Sequence, residues 1–200
     1  MLEIYFLLMV ILPIYLLINK GMGYSSWRHL YFIYPSIIMI ALSGIYYFNI
    51  FIKNKFFKLP IYGLIVMNLL YLANWIYQNH PYQYVYFNLI SKNQINNFDK
   101  DYWGLSNKNA LDYIIENNKV FPVKVATKSF ASLESSSLIL DENEKKKIEI
   151  VYNYEEADFI ITNYTKRIRG EFIVEEDRYV NFYEILVDGI PINTIYKKKK

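Results

Sequence analysis

The sequence predicts a membrane α-helical protein in which three transmembrane helices precede a small α/β soluble domain that ends in a β-hairpin. Of the 200 residues, 54% are hydrophobic and 18% are aromatic, which is too apolar for one ordinary globular domain. The apolar residues are also unevenly spread, because the last hundred residues hold most of the charge. We therefore expect a transmembrane segment over 1–78, an interfacial aromatic segment over 79–104 and an extracytoplasmic α/β domain over 105–200.

The first apolar run, residues 4–19, is uncharged and close to the shortest length that crosses a hydrocarbon core of roughly 30 Å. Pro13 lies inside this run and is compatible with a membrane helix. A secretory signal peptide is the competing interpretation. It is disfavoured because Glu3 stands where a basic region is expected and no small-residue cleavage site follows.

Two further apolar runs, 30–52 and 59–78, are long enough to span a bilayer, and the lysine-rich stretch KNKFFK (53–58) is predicted to connect them. Positive charge favours the cytoplasmic side, so this connection is placed inside. Every residue after His80 then lies outside, in a multi-pass protein of the cytoplasmic membrane. Lys20 and Arg28 oppose this orientation, because it places both of them outside.

Trp27, Arg28 and His29 directly precede the second apolar run. One interpretation is an ordinary interfacial anchor, in which the arginine side chain reaches to the headgroups. The other is a cationic site at a helix mouth, where the guanidinium group binds a phosphate through two hydrogen bonds. Composition alone favours the anchor.

The interfacial segment, 79–104, is rich in aromatic rings with polar tips, which favour the boundary between hydrocarbon and water. Asp99 and Asp101 also lie here, but side chains two residues apart do not face each other on a helix or a strand. We interpret these two carboxylates as solvated charges or a helix cap. The residues assigned to the joint between the membrane part and the outer domain are His80, Tyr82, Tyr84, Asp101, Tyr102 and Trp103.

The outer domain contains one helical pattern and several strand patterns. Residues 107–118 have apolar side chains at helical spacing, with Ser106 or Asn107 as the N-cap. The lysine-rich stretch 141–147 is predicted to be a solvated turn or helix end. The predicted strands are 121–127, 148–153 and 158–164, followed by a hairpin over 179–197 that turns at Asp188-Gly189.

The same residues argue against several kinds of chemistry. The domain has no glycine-rich phosphate loop, no histidine and no cysteine, so we predict no cofactor and no metal site. The net charge of +3 is too small to indicate nucleic-acid binding. Asn163-Tyr164-Thr165 fits a glycosylation sequon, but it follows a predicted strand and such short matches are common by chance.

Five blocks of sequence resemble a known family. In order, they are WRHLYFIYP (27–35), HPYQYVYFN (80–88), DYWGLSNKNALDYI (101–114), ADFIITNY (157–164) and YEILVDGIPINTIYK (183–197). They are similar to the C-terminal part of a bacterial membrane glycosyltransferase family of GT-C fold, which is related to glycosyltransferase family 39 and the dolichyl-phosphate-mannose protein mannosyltransferases.

The resemblance implies transfer of a sugar from a polyprenyl-phosphate carrier to an acceptor on the outer side. It also implies that the catalytic aspartate belongs to a first outer loop that this sequence lacks, so no catalytic residue is assigned and the isolated chain is expected to be inactive. Ser25-Ser26 replaces the Asp-Gly common in the family. Arg28, His29 and Tyr24 are the expected donor-phosphate residues.

The implied partners are the lipid bilayer, a polyprenyl-phosphate-linked sugar and an N-terminal membrane portion of the enzyme. Two other hypotheses stay open. The first is a self-standing, membrane-anchored protein whose outer domain docks a partner, and the second is a degenerate gene remnant.

Overall fold

A computed structural model describes residues 2–20, 27–88, 91, 95, 97–165 and 177–199, with the backbone alone for 27–29. The chain divides into two compact units, Met1–Leu72 and Ala73–Lys200. The boundary falls inside the third helix. The last turn of that helix therefore belongs to the second unit.

Three helices dominate the first unit: α1 (Leu2–Asn19), α2 (Tyr34–Phe51) and the first part of α3 (Lys55–Gln78). A 3₁₀ helix, Trp27–Ile33, leads into α2. All three α-helices are long and apolar enough to cross a membrane. Most of their large apolar side chains are exposed, as expected of helices that meet lipid. The three predicted spans are therefore confirmed as helices.

The predicted connection over 53–58 is too long, because α3 begins at Lys55. Asn54 explains the early start. Its side-chain oxygen accepts the backbone N–H of Phe56 at 2.9 Å, which is the hydrogen bond of a helix N-cap. Lys58 is thus in the helix, and its ammonium group donates to the Asn49 carbonyl oxygen at 2.9 Å.

The second unit contains one five-stranded sheet. Its strands are β1 (Val123–Thr127), β2 (Ile148–Ile150), β3 (Phe159–Thr162), β4 (Tyr179–Val187) and β5 (Ile190–Lys198). The spatial order is β2-β1-β3-β5-β4, in which β1 pairs in parallel with β2 and β3. β5 runs antiparallel to both β3 and β4. The α/β class and the closing hairpin are confirmed.

Helix α4 (Ser106–Glu116) buries its apolar face against the sheet, beside the shorter helices α5 (Leu133–Ser137) and α6 (Glu142–Lys145). Each Leu or Ile side chain buried there contributes roughly 1.5–3 kcal/mol. The buried cluster comprises Ala110, Leu111, Ile114, Ile115, Val123, Val125, Leu133, Leu140, Phe159, Ile161 and Ile195.

A second apolar cluster joins the last turn of α3 to the hairpin. Trp75 packs with Val85, Val187 and Ile192, all of which are buried. The Trp75 and Tyr86 rings meet edge to face, with centroids 4.8 Å apart. This part of α3 is therefore a component of the α/β domain.

The hairpin turn follows the prediction. Asp188 has φ 52° and Gly189 has φ 77°, the left-handed pair that a type I′ turn requires. Aspartate tolerates this region better than most side chains, and glycine adopts it without steric cost. The turn fixes the register in which Val187 pairs with Ile190.

Candidate functional site

Asp101 is the centre of a buried polar cluster. Its side chain is fully buried, and one carboxylate oxygen, Oδ1, accepts the Tyr84 hydroxyl at 2.7 Å and the Leu105 N–H at 3.0 Å. The other oxygen, Oδ2, accepts the Ser106 N–H at 3.0 Å and the Ser106 hydroxyl. Four donors therefore surround one carboxylate, which offsets the cost of burying it.

These bonds make Asp101 the cap of α4. The Leu105 and Ser106 amides lie at the start of the helix, where backbone N–H groups lack intrahelical partners and a negative charge is favoured. The prediction that Ser106 or Asn107 is the N-cap is wrong, because Leu105 holds that position without a capping side chain. Of the interpretations for the two aspartates, the helix cap applies to Asp101, while Asp99 is exposed.

Gly104 brings Asp101 to the helix. Its N–H donates to the Asp101 carbonyl oxygen at 3.0 Å, and its φ is +68°. A Cβ at this position would lie 2.5 Å from Ala131 Cβ and 2.7 Å from Asn107 Nδ2. Glycine is therefore required both by the backbone conformation and by the close approach of neighbours.

The same segment fills the crevice at the carboxyl ends of β1 and β3. In open α/β sheets, ligands bind there, where the strand order reverses. Here Asn163, which follows β3, donates its amide to the Asp101 carbonyl oxygen at 2.7 Å, and the Thr165 hydroxyl donates to that oxygen at 3.2 Å. Ser129, which follows β1, accepts the Asn163 N–H at 2.9 Å. The usual ligand position is thus occupied by the chain itself.

Asn193 of β5 completes the cluster. Its amide nitrogen donates to the Ser106 hydroxyl oxygen at 2.8 Å and to Asn107 Oδ1 at 3.0 Å. Asn107 Nδ2 and Asn193 Oδ1 are buried and have no protein partner in the described part of the chain. We refer to Tyr84, Asp101, Ser106, Asn163, Thr165 and Asn193 as the Asp101 cluster.

Two tyrosines of the interfacial segment have hydroxyl groups near the Asp101 carboxylate, and the Tyr84 hydroxyl donates to it. Burial, followed by the nearby Asp101 charge, raises the pKa of Tyr82 to about 12. The same two causes, together with its hydrogen bond to Asp101, raise the pKa of Tyr84 further. Both hydroxyls therefore stay protonated at neutral pH. The Tyr82 hydroxyl accepts the Asn109 amide at 2.6 Å.

The other predicted joint residues lie outside the cluster. His80 is exposed, and its Nδ1 is 2.5 Å from Gln83 Nε2. The Tyr102 ring contacts the rings of Trp103 and Phe130, with centroids 5.1 and 5.9 Å away, and Trp103 is 68% exposed. The structure therefore brings Tyr82, Tyr84 and Asp101 together, and leaves His80 and Trp103 at the surface.

The predicted donor-phosphate residues lie outside the described side chains. Tyr24 falls in a stretch that the structure does not describe, and Arg28 and His29 are described by their backbone alone, in the 3₁₀ helix before α2. Their role stays a prediction from the sequence.

The geometry of the Asp101 cluster suits a structural joint. The carboxylate accepts four hydrogen bonds from protein groups and has no exposed surface for a substrate proton or a metal ion. Within the described residues, no three His, Cys, Asp or Glu side chains are placed to share a metal ion. The cluster therefore holds a helix, a strand edge and a hairpin in one arrangement.

The chain matches no protein-family model, no curated protein and no solved structure. Sequence reasoning missed Asn163 and Asn193 as partners of Asp101. For Asn163, the only signal was the sequon that we set aside, and its side chain is fully buried. For Asn193 the signal was a polar residue within the apolar run that follows the hairpin turn.

Proposed function

We propose that the protein is part of an integral-membrane glycosyltransferase that uses a polyprenyl-phosphate-linked sugar. In this proposal it contributes the donor-phosphate contacts and a folded domain on the outer side of the cytoplasmic membrane. The reaction transfers the sugar from the carrier phosphate to an acceptor. The catalytic aspartate is supplied from another membrane portion of the enzyme.

The observation that carries this proposal is the convergence of the resembling blocks. Tyr84 belongs to the second block, Asp101 to the third, Asn163 to the fourth and Asn193 to the fifth. Hydrogen bonds link the second and fourth blocks directly to Asp101, and link the fifth block to Ser106 in the third. Separated motifs that build one joint are expected of a domain shared by a family, since each motif depends on the others.

The three apolar helices also support the proposal, because a lipid-linked donor must be met at a membrane. In the first block, Arg28 is the residue best suited to a phosphate, since guanidinium binds phosphate through paired charge-assisted hydrogen bonds. His29 and Tyr24 add hydrogen-bonding groups beside it. These three residues form the proposed donor-phosphate site.

Donor binding tests this assignment directly. The full chain is reconstituted in lipid nanodiscs and titrated with a polyprenyl monophosphate, in the wild type and in Arg28→Ala, with Lys20→Ala as the matched control. Loss of a charge-assisted bidentate contact weakens binding by about tenfold or more. Arg28→Lys recovers part of the affinity, because lysine keeps the charge but loses the paired geometry. Lys20→Ala changes affinity by less than about twofold.

Equal affinities of Arg28→Ala and Lys20→Ala for the polyprenyl monophosphate would contradict the assignment of Arg28 to the donor site. A self-standing docking protein gives a different pattern, since it binds the carrier no better than an empty nanodisc does. Sugar transfer by the isolated chain would contradict the proposal that another membrane portion of the enzyme supplies the catalytic aspartate.

A further inference from the structure

A cavity of about 340 Å³ opens at the sheet edge opposite the Asp101 cluster. It lies where the amino ends of β1 and β3 meet the carboxyl end of β5. We call it the lysine cavity. Its lining residues include Lys119, Lys197, Lys198, Lys199, Asp158 and Phe159. Its volume is at the lower end of the range for small-molecule sites, roughly 300–1,000 Å³.

The charges around the cavity are unbalanced, with four lysines against one aspartate. Asp158 Oδ2 already accepts the Lys124 N–H at 2.9 Å. Lys119, Lys197 and Lys198 have no carboxylate within 4.0 Å among the described residues. The cavity thus concentrates positive charge that the described carboxylates do not neutralise.

Two of the lysines are available to a ligand. Lys119 is exposed. The Lys197 ammonium group makes cation–π contacts with Phe159 and Phe182, at 5.4 and 4.9 Å from the ring centroids, which hold it beside the cavity without neutralising its charge. Lys198 is less available, because its ammonium group donates to the Glu155 carbonyl oxygen at 2.5 Å. Lys119 and Lys197 are therefore the cations that a bound anion would meet.

The end of α4 does not account for these lysines. Cations often neutralise the exposed carbonyl groups at a helix C-terminus. Here two asparagine side chains already do so, since Asn117 Nδ2 donates to the Tyr113 carbonyl oxygen at 2.9 Å and Asn118 Nδ2 to the Ile114 carbonyl oxygen at 2.7 Å. Lys119 follows them and is not needed for this role.

Apart from Asn118, the rest of the lining is apolar. Val120, Pro122, Val123 and Phe159 line the cavity together with the lysines. A cationic rim beside an apolar surface fits an organic anion better than a bare inorganic ion. Lysine binds phosphate as a point charge, which tolerates several orientations of the phosphate group.

We propose that the lysine cavity binds a small, water-soluble organic phosphate of about the size of a sugar phosphate. A free ligand is favoured over a lipid headgroup because the cavity lies far along β5 from the end of the third apolar helix. The last turn of α3 packs at Ile192, whereas Lys197 lies five residues further along β5, or about 17 Å away. The residues of this cavity are distinct from Arg28, His29 and Tyr24, the residues of the proposed carrier-phosphate site.

Equilibrium binding of glucose 1-phosphate to the full chain in detergent tests the proposal, with glucose as the uncharged probe. The test variant is Lys119→Gln with Lys197→Gln. The matched control is Lys145→Gln with Lys146→Gln, which removes the same charge from the last residue of α6 and its C-cap. We expect saturable binding of glucose 1-phosphate, about tenfold weaker binding in the test variant and less than about twofold change in the control. Glucose is expected not to bind.

Three results would overturn the proposal: no saturable binding by the wild type, equal loss in both double variants, or equal binding of glucose. A parallel arm uses vesicles containing an anionic phospholipid. Binding to these vesicles without binding of glucose 1-phosphate would assign the cavity to a lipid headgroup instead. The test variant keeps its affinity for a polyprenyl monophosphate, so failure here is distinguishable from failure of the donor-site assignment.

Discussion

The Asp101 cluster and the lysine cavity lie at opposite edges of the same sheet, and they use polar residues in opposite ways. In the cluster, the buried carboxylate accepts four hydrogen bonds from the protein. In the cavity, Lys119 and Lys197 have no carboxylate partner among the described residues and border an open volume. The first arrangement is complete without a ligand. The lysine cavity presents positive charge that could bind an anionic ligand.

This difference separates residues that stabilise the fold from residues that bind a ligand. A residue that satisfies buried donors stabilises the fold, and its loss is expected to lower the free energy of unfolding. A residue whose charge is unpaired beside a cavity contributes little to stability, and its loss is expected to lower affinity. Substitutions in the two regions should therefore have distinct effects.

The largest effect on stability is expected at Asp101. Each carboxylate oxygen of Asp101 accepts one backbone N–H and one hydroxyl, so the NH₂ group of Asp101→Asn would face two donors. We expect a loss of about 3 kcal/mol or more in the free energy of unfolding. Guanidinium unfolding followed by tryptophan fluorescence measures it. Asp99→Asn is the control, because Asp99 is exposed and should stay within about 0.5 kcal/mol of the wild type. Equal losses for both variants would contradict the account.

Gly104→Ala is expected to cost about 3 kcal/mol, since it combines a strained backbone with a close contact at Ala131 Cβ. Gly189→Ala shares the positive φ but has no atom within 4 Å of the added Cβ. Its expected cost is about 1 kcal/mol. The difference in the free energy of unfolding between Gly104→Ala and Gly189→Ala measures the cost of the close contacts around Gly104. Equal losses for the two variants would contradict a role for these contacts.

Tyr84→Phe removes one of the four donors to Asp101 and should cost about 1–2 kcal/mol. Tyr86→Phe is the matched control, because Tyr86 meets Trp75 through its ring and makes no side-chain hydrogen bond among the described residues. Denaturant midpoints of the two variants provide the comparison. A Tyr84→Phe protein as stable as Tyr86→Phe would show that this bond is dispensable.

The smallest effect is expected in alkaline solution. The folded protein raises the pKa of Tyr82 to about 12 from an ordinary value near 10. The resulting stability is fully present below pH 10 and is lost as the pH rises towards 12, because the unfolded chain releases the proton first. Unfolding midpoints at pH 9 and 11 should differ less in Tyr82→Phe than in the wild type. If the midpoints at pH 9 and pH 11 differed equally in Tyr82→Phe and the wild type, the raised pKa of Tyr82 would not be a cause of the pH dependence.

Much of the fold follows from local sequence. The three long apolar runs predict the helices, and the β-branched runs predict the strands within a few residues at each end. Asp188-Gly189 predicts its turn because few other pairs adopt two positive φ values. Helix α5 was missed, since its five residues, LESSS, are too short to show a helical period.

The Asp101 cluster could not be read from the sequence. Asp101 caps α4 from outside the usual N-cap position, through a turn that depends on Gly104. Its partner Asn163 lies 62 residues away, and Asn193 lies 87 residues from Ser106. Such contacts are set by strand order, which local patterns do not specify. The segment 79–104 supplies Tyr84 and Asp101, whose hydrogen bonds lie within the α/β domain, and its interfacial position stays a prediction.

The most direct test of this account measures two quantities in two variants: the free energy of unfolding and the affinity for glucose 1-phosphate. We expect each variant to change a different one of these quantities. Tyr84→Phe should lose stability and keep its affinity, whereas Lys119→Gln should keep its stability within about 0.5 kcal/mol, because Lys119 is exposed, and lose affinity. If either protein changed in both quantities, or if Tyr84→Phe alone lost affinity, the separation of the two regions would be contradicted.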